Sequence, residues 1–184
     1  QLLIIKINTN KMKKSSIILI VIAVLAVIWG VSAYNGLVTM DENVNTEWAN
    51  VETQYQRRAD LIPNLVNTVK GYAAHESETL ESVIAARSKA TQITIDPANL
   101  TPEKLAEYQE AQGAVTSALG KLLAISESYP DLKANQNFLE LQAQLEGTEN
   151  RINEARRKFN NVAKEYNTAI RRFRKSILAG MFCF

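Results

Sequence analysis

An uncharged apolar segment near the N-terminus, Ser15–Ala33, constrains the fold more than any other feature of the sequence. A helix over this segment rises about 1.5 Å per residue and is about 28 Å long, which matches the hydrocarbon core of a bilayer. Trp29 and Tyr34 lie at its far end, where aromatic side chains anchor a span at the membrane interface. The sequence therefore predicts a transmembrane anchor over residues 12–34.

The same residues also fit a cleaved signal peptide. Lys13 and Lys14 form a basic start, Ile17–Ile28 an apolar stretch, and Val31–Ala33 a small-residue cleavage site. Both interpretations stay open at this point. Residues 1–11 precede the first methionine and follow no structural pattern, so we interpret them as an upstream extension or artefact. Residues 179–184 are interpreted as a truncated tail.

The charges beside the segment predict its orientation. Lys13 and Lys14 precede it, Glu42 and Glu47 follow it, and the next basic residue is Arg57. Because basic flanks stay in the cytoplasm, the N-terminus is expected inside and the bulk of the chain outside. The predicted location is a single pass through the bacterial inner (cytoplasmic) membrane, with the bundle on the outer or periplasmic side.

After the anchor the apolar residues follow a helical period. Two adjacent seven-residue tracks form the seam of an amphipathic helix, interrupted by Arg58 and expected to kink at Pro63. The tracks are Val44, Val51, Leu65 and Tyr72, and Trp48, Tyr55, Ile62 and Val69. No Pro or Gly cluster separates this seam from the anchor, which predicts one continuous helix.

Three further helices complete the predicted fold. They cover Ser77–Thr91, Pro102 to Tyr129, and Leu132–Ser176, and the last has a coiled-coil-like seam. Its seam residues lie seven apart: Phe138, Leu145, Ile152, Phe159, Tyr166 and Phe173. Short connections favour up-down-up-down order. We therefore expect an all-α protein in which a transmembrane helix precedes an elongated antiparallel bundle of about four helices, residues 35–178.

Arg58 predicts a polar contact inside this bundle. A guanidinium on an apolar seam needs a carboxylate partner, because an unpaired buried charge is strongly unfavourable. Asp60 faces elsewhere on the same helix, whereas Glu149 or Glu140 on the last helix could meet Arg58. We predict a buried pair of Arg58 and Glu149 that fixes the register of the two helices.

The charge is concentrated near the C-terminal end. Residues 151–175 contain nine basic residues and two acidic ones, a net charge of +7. An antiparallel bundle returns this block toward the membrane, where Arg171, Arg172 and Lys175 could contact anionic lipid. The alternative is an ordinary solvated helix face. Nucleic acid is not expected as a partner, since the aromatic residues of the block lie on the core seam.

Catalytic and cofactor chemistry finds little support in the sequence. His75 and Cys183 are the single histidine and the single cysteine, so neither a di-metal Glu-x-x-His bundle site nor a His/Cys zinc site can be built. No Gly-rich phosphate loop and no nucleophile beside a His base is present. We predict no catalytic residue, no metal and no cofactor, and a carboxylate-only enzyme remains a weak alternative.

Several motifs resemble the bacterial LemA family. The resemblance runs from Met12 to about Met181 and is strongest in the stretch QYQRRADLIPNLV, Gln54–Val66, with further matches at Ala86-Arg87 and over Leu145–Ile152. It implies an N-terminal transmembrane helix, a helical bundle and no established activity. Family members often have a short N-terminus outside the cell, which is opposite to the charge prediction. The sequence departs from the family pattern at Arg174, where the family has proline, and at Cys183-Phe184.

Three functions are compatible with these features. The first is a membrane-anchored scaffold or adaptor, whose partners are the lipid bilayer, other membrane or envelope proteins, and a possible second copy of the chain. The second is a protein that binds or organises an anionic membrane surface. The third is the carboxylate-only enzyme.

Overall fold

The structure, a computed structural model, describes residues 14–95, 101–172 and Gly180. The regular elements in these residues are all helical. They are α1 (Lys14–Lys70), α2 (Ser77–Gln92), α3 (Pro102–Ile125), a 3₁₀ turn (Ser126–Ser128), the short α4 (Pro130–Lys133) and α5 (Gln136–Arg171). The all-α prediction is confirmed.

Helix α1 contains both the predicted anchor and the first seam, so the predicted continuity of the two is confirmed. Its N-terminal part is the single stretch in the described residues that is long and apolar enough to cross a membrane, with a mean hydropathy of 2.7. The large apolar side chains between Ile17 and Val31 are all exposed. Exposed aliphatic surface of this extent is unfavourable in water and favourable in lipid.

The described residues from Asn43 to Ala163 form one compact unit. Within it α1 and α5 run antiparallel, because Trp48 packs against Phe159 at a ring distance of 5.1 Å, whereas Tyr72, further along α1, lies beside Asn135, near the start of α5. Helix α2 returns along α1 after a short turn, and α3 packs on α2. Parts of all four predicted bundle helices lie in this unit, which is narrower than the predicted range of residues 35–178.

The core of this unit follows the predicted seams. Most of the described seam positions in the two long helices are buried, Leu65 and Val69 among them, and Val44 and Tyr166 are half-buried. Tyr72 is the exposed one. It lies in the turn after α1 and is 44% exposed, so its expected place in the core is wrong. The helical period that placed it there ends at Lys70.

The second unit contains the described residues up to Glu42 and from Lys164. Its small core is formed by Leu37 and Ala169, with Met40 and Ile170 packed against it. The Tyr166 hydroxyl lies beside Asp41, and burial together with this carboxylate raises the tyrosine's pKa. The predicted seam of α5 therefore continues into this unit.

Two predicted helix boundaries are corrected by local hydrogen bonds. Helix α3 ends at Ile125, not Tyr129, and its chain continues as a 3₁₀ turn before Pro130. Helix α5 begins at Gln136, not Leu132, because the Asn135 side chain accepts a hydrogen bond from the Phe138 amide at 2.9 Å and caps the helix. The predictions for residues 1–13, for the seam residue Phe173, for Lys175, for the helix end at Ser176 and for the tail 179–184 lie outside the described residues, apart from Gly180.

Candidate functional site

Arg58 lies at the centre of the bundle unit and is 1% exposed. The heptad spacing places it between Val51 and Leu65, on the face of α1 that packs against α3 and α5. A charged side chain in this position must find partners for its donors, because a buried guanidinium without them is very unfavourable.

The guanidinium of Arg58 makes four hydrogen bonds with two other helices. Its Nη1 donates to Oγ1 of Thr116 and to Oε1 of Glu149, both at 2.7 Å. Its Nη2 donates to Oε1 of Gln112 at 2.7 Å and to the Gln112 backbone oxygen at 3.0 Å. The structure thus brings together the two residues for which a buried ion pair was predicted, and one side chain joins α1, α3 and α5.

The α3 partners of Arg58 were missed by the sequence reasoning. A signal for them exists, since Gln112 is a polar residue between Tyr108 and Val115 on the apolar stripe of α3 and is itself buried. Glu149 remains about one-third exposed. The network is therefore buried on its Arg58 and Gln112 side and reaches solvent through the Glu149 carboxylate.

An aromatic cluster covers the guanidinium on its N-terminal side along α1. The Arg58 guanidinium lies 5.1 Å from the centre of the Tyr55 ring, a cation–π distance. Tyr55 contacts Tyr108 edge-on, and Trp48 packs between Tyr108 and Phe159. These contacts are a second connection between α1, α3 and α5, and they lie one to three helical turns before Arg58 along α1.

Burial controls the ionisation of the two tyrosines. It raises the pKa of the Tyr55 phenol, while the positive charges of Arg156 and Arg58 act in the opposite direction. It also raises the pKa of the Tyr108 phenol, and the charge of Glu52 adds to the increase. Both rings are therefore neutral hydrogen-bonding groups at physiological pH, which suits a structural role.

Pro63 creates a second polar contact between helices. Because proline has no N–H, it cannot donate the usual helical hydrogen bond to the carbonyl oxygen of Ala59. Arg87 of α2 fills this place, and its Nε donates to the Ala59 oxygen at 2.7 Å. Side-chain hydrogen bonds thus attach three other helices to α1. Arg58 of α1 bonds to α3 and α5, and Arg87 of α2 bonds to the carbonyl oxygen that Pro63 leaves free.

A cleft of about 770 Å³ opens between α1 and α2 beside this contact. Its walls carry charges of both signs, and Tyr108 and Gln112 of α3 line it as well. The charged wall residues are Glu52, Arg57, Arg58, Asp60 and Arg87. Burial raises the pKa of Glu52, and the Trp48 indole lowers it. The cleft is large enough for a small ligand or part of a protein partner.

The predicted membrane-contact residues lie at the surface. Trp29 is 45% exposed and Tyr34 37% exposed, as expected for interface anchors. Arg171 and Arg172 are exposed at the end of α5, and Lys175 lies outside the described residues. Their contact with lipid stays a prediction.

Among the described residues, no group of three or more His, Cys, Asp or Glu side chains is placed to hold a metal ion. His75 lies exposed in the turn between α1 and α2. Arg58 and Glu149 satisfy each other within a packed network, so their geometry suits cohesion between helices.

Comparison with known proteins places these features in a family. A model described as the LemA family matches residues 47–184. The chain is similar to magnetosome protein MamQ of Magnetospirillum gryphiswaldense, with 29% identity over 163 residues, 79% of this chain and 60% of that protein. It is 28% identical to MamQ 2 of Paramagnetospirillum magneticum over 182 residues, 88% of this chain and 67% of that one.

Protein LemA of Metamycoplasma hominis is 27% identical over 123 residues, 67% of this chain and 52% of that protein. The chain therefore spans between 52% and 67% of the length of these relatives. The family model begins at residue 47, within α1, and includes Arg58, Pro63, Arg87 and Glu149. Because the model matches well over half of the sequence, the chain belongs to the LemA family.

Proposed function

We propose that this protein is a membrane-anchored scaffold or adaptor, without catalytic activity, that presents its helical bundle to other membrane or envelope proteins. The observation that carries the proposal is the composition of α1. One helix contains a stretch whose large apolar side chains, from Ile17 to Val31, are all exposed and a seam whose side chains are mostly buried. A bilayer is the environment that suits the first part, and the bundle accounts for the second.

The proposed location is the bacterial inner membrane, with the N-terminus in the cytoplasm and the bundle outside. Support comes from Lys13 and Lys14 before the span and from the absence of Lys and Arg between Ala33 and Arg57. Retention of the anchor is part of the proposal, because α1 continues past the alternative cleavage site at Ala33 without a break.

Labelling with a membrane-impermeant maleimide tests this location. The native cysteine is removed with Cys183→Ser, and Glu81→Cys, on the exposed face of α2, supplies the label site. We expect intact cells, or spheroplasts where an outer membrane is present, to be labelled without permeabilisation, and the protein to stay in membranes washed with alkaline carbonate. Labelling only after permeabilisation, or release of a shortened chain by carbonate, would contradict the proposal.

The polar network supports a scaffold better than an enzyme. All four hydrogen bonds of Arg58 are made to the protein itself, and they link helices. The open cleft between α1 and α2 offers a surface of mixed charge that suits a polar segment of a partner protein.

Photo-crosslinking in native membranes tests the scaffold role. A benzoylphenylalanine at Gln56 faces the cleft, and one at Glu81 on the outer face of α2 serves as the matched control. We expect a discrete protein adduct from Gln56 and weaker or different adducts from Glu81. The same weak pattern from both positions would contradict a partner in the cleft, and an adduct of doubled mass would identify a second copy of the chain as that partner.

Binding of an anionic membrane surface is the second candidate function. Exposed Arg171 and Arg172 at the end of α5 favour it. Attachment of a chain lacking residues 1–34 to vesicles is the test, provided that its circular dichroism shows a folded bundle. Binding that requires anionic lipid and weakens with salt supports this function, and equal behaviour with neutral vesicles contradicts it.

A further inference from the structure

A second groove lies between α1 and α5, and its lining differs from that of the larger cleft. Its volume is about 390 Å³, within the range of about 300–1,000 Å³ that is typical of small-ligand sites. Residues of α1 form one wall and residues of the first turns of α5 the other. The polar residues of its lining are Asn64, Asn67, Thr68, Asn137, Glu140 and Gln144.

Uncharged hydrogen-bonding groups dominate this lining. Four of the polar residues carry carboxamides, one carries a hydroxyl, and Glu140 supplies the single charge. Charged residues make up 22% of the whole chain, and exposed faces of helices normally carry most of them. Each carboxamide offers two donors and an acceptor in one plane. The groove therefore suits a ligand that both donates and accepts hydrogen bonds.

The carboxamides of the groove are free to meet such a ligand. Within the described residues, no protein group forms a hydrogen bond with the side-chain amides of Asn64, Asn67, Asn137 or Gln144, all of which are exposed. The Thr68 hydroxyl donates to the Asn64 backbone oxygen at 2.8 Å. Its oxygen can still accept a hydrogen bond.

An oriented aromatic ring lies near the α5 wall of the groove, outside its lining. Tyr72 follows α1 by two residues and is 44% exposed. Its hydroxyl accepts a hydrogen bond from the Asn135 amide at 2.9 Å, which fixes the ring against the start of α5. Asn135 lies two residues before Asn137 of the groove wall. An exposed ring held in this way provides a flat apolar surface beside the amides.

We propose that this groove binds a neutral glycan chain. Sugar hydroxyls donate and accept hydrogen bonds in adjacent pairs, which the planar carboxamides match, and the apolar face of a sugar ring can stack on Tyr72. An extended peptide fits less well, because helices have no free backbone edge to which a strand could add. An anionic chain would meet Glu140 without a basic residue in the lining. The inference depends neither on the scaffold role nor on the orientation in the membrane.

Titration of the full-length protein with chitotetraose and with maltotetraose tests the proposal. The protein is placed in nanodiscs made without sugar detergents, and binding is followed by saturation-transfer NMR and by the side-chain amide resonances of the groove. Removing hydrogen-bond partners of a ligand costs about 1–3 kcal/mol, so Asn64→Ala combined with Asn137→Ala is expected to weaken binding about tenfold or more. Tyr72→Phe keeps the ring and is expected to weaken binding less than Tyr72→Ala.

The control is Asn153→Ala, an exposed amide of α5 outside the groove, which should leave the affinity unchanged. The groove residues are at the surface, and circular dichroism checks that each variant remains helical. Three results would overturn the proposal: no saturable binding of either glycan, equal losses in the groove variants and in Asn153→Ala, or displacement of the glycan by tetra-alanine at equal concentration. The last result would indicate a peptide site.

Discussion

The buried guanidinium of Arg58 joins three helices of the bundle by hydrogen bonds. Removing one partner of a buried ion pair typically costs about 3–5 kcal/mol, since the other partners lose their hydrogen bonds inside the protein. We expect Arg58→Met to lower the free energy of unfolding by about 3 kcal/mol, because Glu149 can still reach water. Arg58→Lys should recover little of this loss. The donors of a guanidinium spread out in one plane and reach α3 and α5 together, whereas the donors of a lysine ammonium are on a single nitrogen.

Urea titration of the full-length protein in micelles measures this loss, with Trp48 fluorescence as the signal and Trp29→Phe as the background. Glu149→Gln is the matched comparison. It leaves Arg58 with its bonds to Gln112 and Thr116, so the expected loss is smaller, about 1–2 kcal/mol. A loss for Arg58→Met below that for Glu149→Gln would show that the network does not hold the helices together.

Tyr108 is expected to make the unfolding free energy of the bundle depend on pH in the alkaline range. Burial raises its pKa above the ordinary value of 10.0, so the folded state holds the phenol proton more tightly than the unfolded state does. The stability that this proton contributes is complete below about pH 10 and is lost as the pH rises above it. Tyr108→Phe should therefore reduce the decline of the unfolding free energy between pH 9 and 11, measured by urea titration. The exposed Tyr72→Phe should have a smaller effect, and an unchanged decline in Tyr108→Phe would contradict the expectation.

Single residues show why the sequence predicted some of this site and not the rest. The heptad position of Arg58 required a carboxylate across the bundle, and Glu149 lay at a suitable height on the last helix. Gln112 and Thr116 were missed because the rotation of α3 about its axis decides which of its polar residues faces Arg58. That rotation follows from packing among three helices. The polar Gln112 on the apolar stripe of α3 indicates a buried polar contact, but the periodicity of one helix does not identify its partner.

At the scale of whole helices, the contact between α2 and α1 depends on Pro63. Arg87 donates to the Ala59 carbonyl that the proline leaves free. We expect Arg87→Met to cost about 1–3 kcal/mol of unfolding free energy, because it leaves this carbonyl without its partner. In a Pro63→Ala background the amide of residue 63 can bond Ala59, and the same substitution should cost less.

A double-mutant cycle in urea measures this coupling. A difference of about 0.5 kcal/mol or more between the two backgrounds supports the link between Pro63 and Arg87. Equal costs in both backgrounds would show that Arg87 acts by packing alone. Lys89, an exposed residue on the same helix, provides the control substitution Lys89→Met, which should be neutral in both.

The elements themselves were largely predictable, and their ends were less so. Apolar periodicity located α1, α2, α3 and α5. The predicted start of α3 at Pro102 agrees with the structure, where the hydroxyl oxygen of Thr101 accepts a hydrogen bond from the Lys104 amide. The start of α5 was placed four residues early, because the sequence pattern gave no reason to separate Pro130–Lys133 as a helical turn of its own. Tyr72 was assigned to the core because the seven-residue spacing of apolar side chains continues in the sequence beyond Lys70, where the helix ends.

For the whole molecule, the orientation in the membrane should depend on a few charges close to the apolar stretch. Moving positive charge across it, by Lys13→Gln and Lys14→Gln together with Glu42→Lys and Asn43→Lys, should invert a large share of the chains. Glu42 and Asn43 are exposed, so the substitutions do not disturb a core. Maleimide labelling at Glu81→Cys, with Cys183→Ser, reports the inversion as a loss of labelling in intact cells.

The control for that inversion introduces two lysines at a distance from the span, as Glu107→Lys and Glu110→Lys on the exposed face of α3. Charges act on orientation mainly within about 15–20 residues of the span, so labelling should then stay as in the parent. Equal inversion by both sets would show that net charge decides the orientation, whereas no inversion by either would show that folding of the bundle does. Loss of labelling with the near set alone would establish that the basic flank of α1 determines the side of the membrane on which the bundle lies.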